Sequence, residues 1–193
     1  MNPFQHFTRD APPYVVRNSL FTLLAHGGPH VDAGIHIFPD GGTVNDFTLD
    51  QFVGPLRLVD VRNLPKDQAI SRETIEESVI RQGDIVVLFG GYEPPREETQ
   101  FPEYHCLSAA AAEYLASIPV RAFATDGWSV DARGSRLGPV VHEAFLLRGI
   151  PVIEQLVNLA AIPEDGEILF VGLPLNVADA NGAPMRAAAF VYE

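Results

Sequence analysis

The 193-residue sequence predicts an α/β fold, a mixed sheet with flanking helices. Three observations carry that expectation. Six short segments rich in Val, Ile, Leu and Phe read as buried strands. Helix-like stretches with recognisable ends lie between some of them, and strands interleaved with helices define the α/β class. The length suits one domain over residues 1–193, since domains run to roughly 100–200 residues. The first strand is expected at residues 19–25 and the second at 55–61. A helix over 72–81 follows, with apolar Ile75 and Val79 four apart and Gly83 just past its end. Residues 84–89 read as a strand. Residues 90–104, with three prolines and four glutamates, read as a surface loop. The alanine-rich helix at 109–116 follows Ser108, a good N-cap, and a strand is expected at 120–125. A helix over 139–148 starts on Pro139, tolerated in a first turn, and stops at Gly149. Strands at 167–173 and 187–192 complete the set. Strand order is not readable from these runs.

Composition narrows the function. Hydrophobic residues make up 47% and charged residues 20%, enough apolar material for a packed core. Lys and Arg number 13 against 25 Asp and Glu, a net charge of −12. A phosphate-backbone binder needs clustered basic residues, so nucleic acid is excluded as a partner. An acidic surface also has no attraction to anionic lipid. The longest apolar run, residues 168–177, is broken by Gly172 and Pro174 and falls well short of the roughly 20 residues that span a bilayer. Residues 1–13 hold no apolar run of signal-peptide length. Cys106 is the single cysteine, which excludes an intramolecular disulfide or an all-thiolate metal site and fits a reducing compartment. A soluble, cytoplasmic protein is expected.

Three of the six histidines fall within eleven residues, in His26-Gly-Gly-Pro-His30-Val-Asp32-Ala-Gly-Ile-His36. The i, i+4 spacing of His26 and His30 is that of a zincin helix. Gly27, Gly28 and Pro29 exclude a helix there, at a cost of roughly several kcal/mol. A strand end running into a tight glycine-rich loop is the better reading. His30 and Asp32, two apart, then point the same way, and the small residues let His26 curl towards them. Imidazoles with a carboxylate suit a borderline divalent ion such as Zn²⁺ or Mn²⁺. The alternative is a loop of solvent-exposed histidines with a capping aspartate.

The segment resembles the His-x-Gly-Thr-His-x-Asp-x-Pro-x-His signature of the cyclase family of metal-dependent hydrolases, which includes bacterial kynurenine formamidases and isatin hydrolases. The similarity continues through Phe38-Pro-Asp-Gly41, Phe52-Val-Gly-Pro55 and Val59-Asp-Val61. It runs on through residues 107–116, Thr125-Asp-Gly-Trp-Ser129-Val-Asp131, residues 142–159 and the tail from Leu173 to Arg186. The resemblance implies a swivelling β/β/α-like cyclase fold. It implies His26, His30 and Asp32 as metal ligands, His142 and Glu154 as a second pair with Asp32 bridging, and His36 as general acid/base. The cofactor would be one or two Zn or Mn ions per chain. The activity would be hydrolysis of an amide, cyclic amide, imide or N-formyl bond, arylformamidase- or cyclic amidase-like, by metal-activated water. The substrate would be a small molecule with an aromatic or cyclic group, and the assembly a homodimer or homotetramer. The residues themselves speak less firmly. His142, after Val140-Val141, also reads as a structural helix residue. Glu154, within an apolar run, needs a cation or hydrogen-bond donors if buried, or else lies exposed beside Gln155.

Two signature positions depart from the pattern. Pro29 stands for a threonine, removing a hydroxyl and an N–H, and Gly34 stands for a proline, loosening the turn that positions His36. Residues 89–93, Phe-Gly-Gly-Tyr-Glu, depart from the family's Arg-Thr-Gly-Trp type of run. Residues 1–17 show no copy of the usual opening strand, so a shortened or rearranged N-terminus is expected. Pro29 and Gly34 motivate a rival reading, a metal-binding but non-catalytic ligand-binding protein on the same scaffold. Gly127-Trp-Ser129-Val-Asp131 lacks the last glycine of a nucleophile elbow, which leaves a serine hydrolase poorly supported. The resemblance instead places Ser129 and Asp131 near the pocket, against a plain turn role. His105 is expected at the surface beside a buried Cys106. Trp128, Phe38 and Tyr92 either line a pocket for a flat ring or belong to the core.

Overall fold

The computed structural model describes residues 18–66, 68–92, 103–163 and 165–192. Seven strands close into a barrel in the order β1-β5-β4-β3-β2-β6-β7. They span His30–Asp32 (β1), Val53–Asp60 (β2), Ile85–Phe89 (β3), Ala122–Thr125 (β4), Val152–Glu154 (β5), Glu167–Pro174 (β6) and Gly182–Tyr192 (β7). Helices α1 (Arg72–Glu76), α2 (Ala109–Ser117) and α3 (Val140–Leu146) are interleaved among them. β2 to β5 run parallel to one another, while β1, β6 and β7 pair antiparallel. This is the expected mixed α/β sheet, closed on itself.

The period-two alternation of strands sorts the core into two. Ile85, Val87, Phe89, Ala122, Ala124, Val31 and Ile153 fill the barrel. Val86, Leu88, Phe123 and Val152 face outward, where Leu115, Val141 and Phe145 of α2 and α3 cover them. β3 is buried at all five positions and is accordingly apolar throughout. Ser71 and Ser108 cap α1 and α2 by accepting from Thr74 N–H and Ala111 N–H.

Several expectations are corrected. Residues 19–25 form no strand, and Leu20, Phe21, Leu23 and Leu24 are exposed. Both edges of β1, the next element in the chain, are already taken by β5 and β7. The helix expected over 72–81 ends at Glu76. His105 is buried rather than at the surface, its Nε2–H donating to the Leu64 carbonyl at 2.9 Å. The loop expected over 90–104 has a buried start, because Gly90 and Tyr92 N–H both donate to the Asp126 carboxylate at 2.9 Å. Its residues 93–102 lie outside the described residues, as does the expectation for residues 1–17.

Gly34 does not loosen its turn. It is buried in the 3-10 turn Gly34–His36, with Gly41 and Gly42 packed on it. A Cβ on Gly41 would lie 2.1 Å from the Gly34 carbonyl carbon, so the two backbones meet only because neither carries a side chain there.

Candidate metal centre

The site lies on the helix-facing side of the barrel wall. In β1, Val31 points into the barrel, so His30 and Asp32 point outward together. Antiparallel register sets Glu154 of β5 directly across from His30, on the same face. Helix α3 lies over that face and brings His142. His26 reaches the group from the loop before β1, where Gly28 takes a positive φ of 67°. His36 comes from the 3-10 turn after β1. The glycine-rich turn thus precedes the strand instead of following it.

Asp32 is the hub. His26 Nδ1–H donates to its Oδ1 at 2.6 Å, His30 Nε2 lies 3.3 Å from the same oxygen, and His142 Nε2 lies 3.1 Å from Oδ2. Glu154 closes the group, 3.7 Å from His30 Nε2 and 3.3 Å from His142 Nε2. The His36 ring sits 4.0 Å from that of His26 and 5.9 Å from that of His142, centroid to centroid. His30, Asp32, His142 and Glu154 are all buried, His26 is half-buried and His36 is exposed. Two triads, His26/His30/Asp32 and Asp32/His36/His142, have donor atoms within 4.8 Å of one another, with Asp32 shared.

The outer partners fix which nitrogen faces inward. His30 Nδ1 must carry hydrogen, because it meets the Gly28 carbonyl at 2.7 Å. His142 Nδ1–H likewise donates to Asp131 at 2.6 Å. Each neutral ring therefore turns an Nε2 lone pair towards carboxylate oxygens. His30 Nε2 is buried without a hydrogen-bond partner among the described residues. Lone pairs set against carboxylates repel unless a cation, a proton or a metal ion, lies between them. Each triad sets two imidazoles against the shared Asp32 carboxylate, a donor set that fits a divalent metal, while Glu154 stands beside His30 and His142 outside both triads.

Protonation follows the same logic. Burial opposes charge on Asp32, yet the bonds from His142 and His26 and the close His30 hold its carboxyl well below the usual carboxylate range. Burial also works against a charged His142, but Asp131, Asp32 and Glu154 push it up to about 11. Burial opposes charge on His30 too, but Asp32, the Gly28 carbonyl and Glu154 together raise it. Glu154 is raised by burial and by the neighbouring Asp32 charge. His36 is lowered, by lost hydration first and by the surrounding imidazoles, with Asp32 partly offsetting.

Sequence reading assigned no contact to three further features. Asp131 grips His142, Val130 N–H donates to Glu154 Oε1 at 2.8 Å, and Gly182 cradles His26. A Cβ on Gly182 would lie 2.5 Å from His26 Cε1. Ser129 serves the turn, its Oγ 3.4 Å from Asp131 N. Tyr92 is buried, Phe38 packs on the helix-side core and Trp128 is half-buried. A cavity of about 460 Å³ is lined by Leu56, Leu156, Phe170, Met185 and Arg186.

Comparison with known proteins agrees with this geometry. The Cyclase family, described as "Putative cyclase", matches residues 3–132. A kynurenine formamidase of Bacillus cereus is 33% identical over 170 residues, covering 86% of this chain and 76% of the relative. Among solved structures, a potential metal-dependent hydrolase with cyclase activity superposes with a TM-score of 0.75 at 27% identity, covering 89% of this chain and 82% of the other. Isatin hydrolase A from Labrenzia aggregata shares the fold at 23% identity and a TM-score of 0.75, covering 88% and 74%. Fold, site and relatives together define a hydrolase. The chain belongs to the cyclase family.

Proposed function

We propose that the chain hydrolyses an amide, cyclic amide, imide or N-formyl bond of a small molecule carrying a flat or cyclic group. The inward-facing Nε2 atoms of His30 and His142, set against Asp32 and Glu154, are the observation that carries this reading. His26, His30, Asp32, His142 and Glu154 would hold one or two divalent ions, Zn²⁺ or Mn²⁺. A bound ion would supply Lewis acidity and lower the pKa of water near neutral pH. The protein's own residues supply the rest. Asp131, Val130 and Gly28 hold the ligands in pose. His36, exposed beside the centre and lowered in pKa, moves the proton to the departing nitrogen. The buried single thiol fits a cytoplasmic setting. The exposed Leu20, Phe21, Leu23 and Leu24 fit a homodimer or homotetramer that covers them.

Protein stripped with a chelator and reloaded with Zn²⁺ or Mn²⁺ is assayed on N-formylkynurenine, isatin and simple cyclic imides. Turnover that appears only with metal is the expected result. Tight binding without turnover of any of them would instead establish the rival, a non-catalytic binding protein. His36→Ala is expected to keep its metal, by elemental analysis, while turnover falls about 10²–10⁴-fold. Unchanged turnover would place the proton transfer elsewhere.

A further inference from the structure

We propose that Asp131 is a positioning residue that holds His142 in its metal-facing pose, an inference that rests on the metal-centre reading above. Asp131 is 9% exposed and lies on the turn that leaves β4. Its carboxylate accepts three hydrogen bonds from α3. Val141 N–H donates at 2.8 Å and His142 N–H at 3.1 Å, both from the first turn of α3, and His142 Nδ1–H donates at 2.6 Å. Pro139 offers α3 no side-chain cap, so Asp131 supplies one from outside the helix. One carboxylate thus fixes where α3 starts and how the His142 ring is turned.

The choice of nitrogen is the functional part. A neutral imidazole free to choose would place its hydrogen on Nε2 and donate to Asp32 Oδ2, which waits 3.1 Å away. That tautomer would spend the ligand lone pair on the wrong side. The Asp131 anion holds the hydrogen on Nδ1 and leaves Nε2 free for a cation. The turn is itself held. Tyr104 O–H donates to the Asp131 carbonyl at 2.9 Å, and Val130 N–H, one residue earlier, anchors Glu154 at 2.8 Å. Residues 130–131 therefore orient both candidate ligands that lie farthest along the chain from the histidine cluster.

Asp131→Asn keeps the size and an acceptor oxygen for α3, but its neutral amide no longer fixes the Nδ1 hydrogen. Asp131→Ser keeps a short cap that cannot reach the ring, and serves if the asparagine variant fails to fold. Co²⁺ or Zn²⁺ affinity is measured by competition with a chromogenic chelator, and the melting temperature by circular dichroism without metal. The cobalt absorption band reads ligand geometry. Affinity is expected to fall about 10–100-fold, with a shifted cobalt band, and metal-free melting is expected to fall as well, because the variant loses the buried charged partner of His142. In a double-mutant cycle, Asp131→Asn should weaken binding no further once His142→Ala is present, because it acts through that ring. Wild-type affinity in Asp131→Asn, or an equal further loss on the His142→Ala background, would overturn the proposal alone. A wild-type protein that binds neither ion overturns it together with the metal-centre reading.

Discussion

Asp32→Asn is expected to strip the centre of its ion and its activity together. The substitution is nearly isosteric, so packing between β1, β5 and β7 survives. What changes is the chemistry at the hub. One oxygen now meets His26 Nδ1 at 2.6 Å and the other His142 Nε2 at 3.1 Å. Replacing either with an amide NH₂ puts a donor where a ligand lone pair is needed and removes a buried charge. Both triads share this residue, and among the described residues no other group of three has donor atoms within 4.8 Å. Losing an outer partner of a ligand alone costs about 10–100-fold in affinity. The loss at Asp32 should exceed that range, and turnover should fall with it. Elemental analysis beside the turnover assay tests the point. A variant that keeps its full metal complement would remove Asp32 from the ligand set.

Much of the fold was legible in the sequence, but the strands that carry the site were not. β2, β3, β4 and β6 appear as apolar runs because their walls are buried, on both faces in the case of β3. β1 and β5 are three residues each, too short to show a period, and become strands through the neighbours that flank them. Gly182 and Pro184 disguised the start of β7, although that start is what pairs with His30 and Asp32. The apolar run at 19–25 misled for the converse reason. Hydrophobicity reports a preference for burial and says nothing of whether an edge is open. At the site, the density of histidines made His26, His30, Asp32 and His36 stand out. His142 lies 110 positions from Asp32, and no local spacing joins them. It entered through resemblance, as did Glu154. Asp131 was placed near a pocket without a partner, because its role exists only once α3 is laid across the sheet.

Metal binding should stabilise this protein more as pH rises, and the protonation states give the sign. In the metal-free protein, His142 is raised from 6.5 to about 11 and His30 is raised as well. A histidine whose pKa rises on folding adds stability that is complete below its unfolded value. That stability is lost as pH climbs through the folded one. Raised Glu154 acts in the same direction, since its preferred neutral form is lost with rising pH. Depressed Asp32 contributes stability present above its unfolded value near 3.8 and lost only in acid below it. Metal-free protein should therefore weaken steadily from about pH 6.5 towards about 11. A divalent ion takes the place of those protons, so its binding releases them and strengthens over the same window. At an ion concentration about 100 times Kd, the gain is about 2.7 kcal/mol, or roughly 5–10 °C for a chain of this size. Melting curves with chelator and with Mn²⁺ at several pH values between 6 and 9 would show the two diverging. Taking the difference at each pH cancels the titration of the acidic surface, which both states share. A gap that stays constant, or closes as pH rises, would mean that the ion does not sit among His30, His142, Asp32 and Glu154.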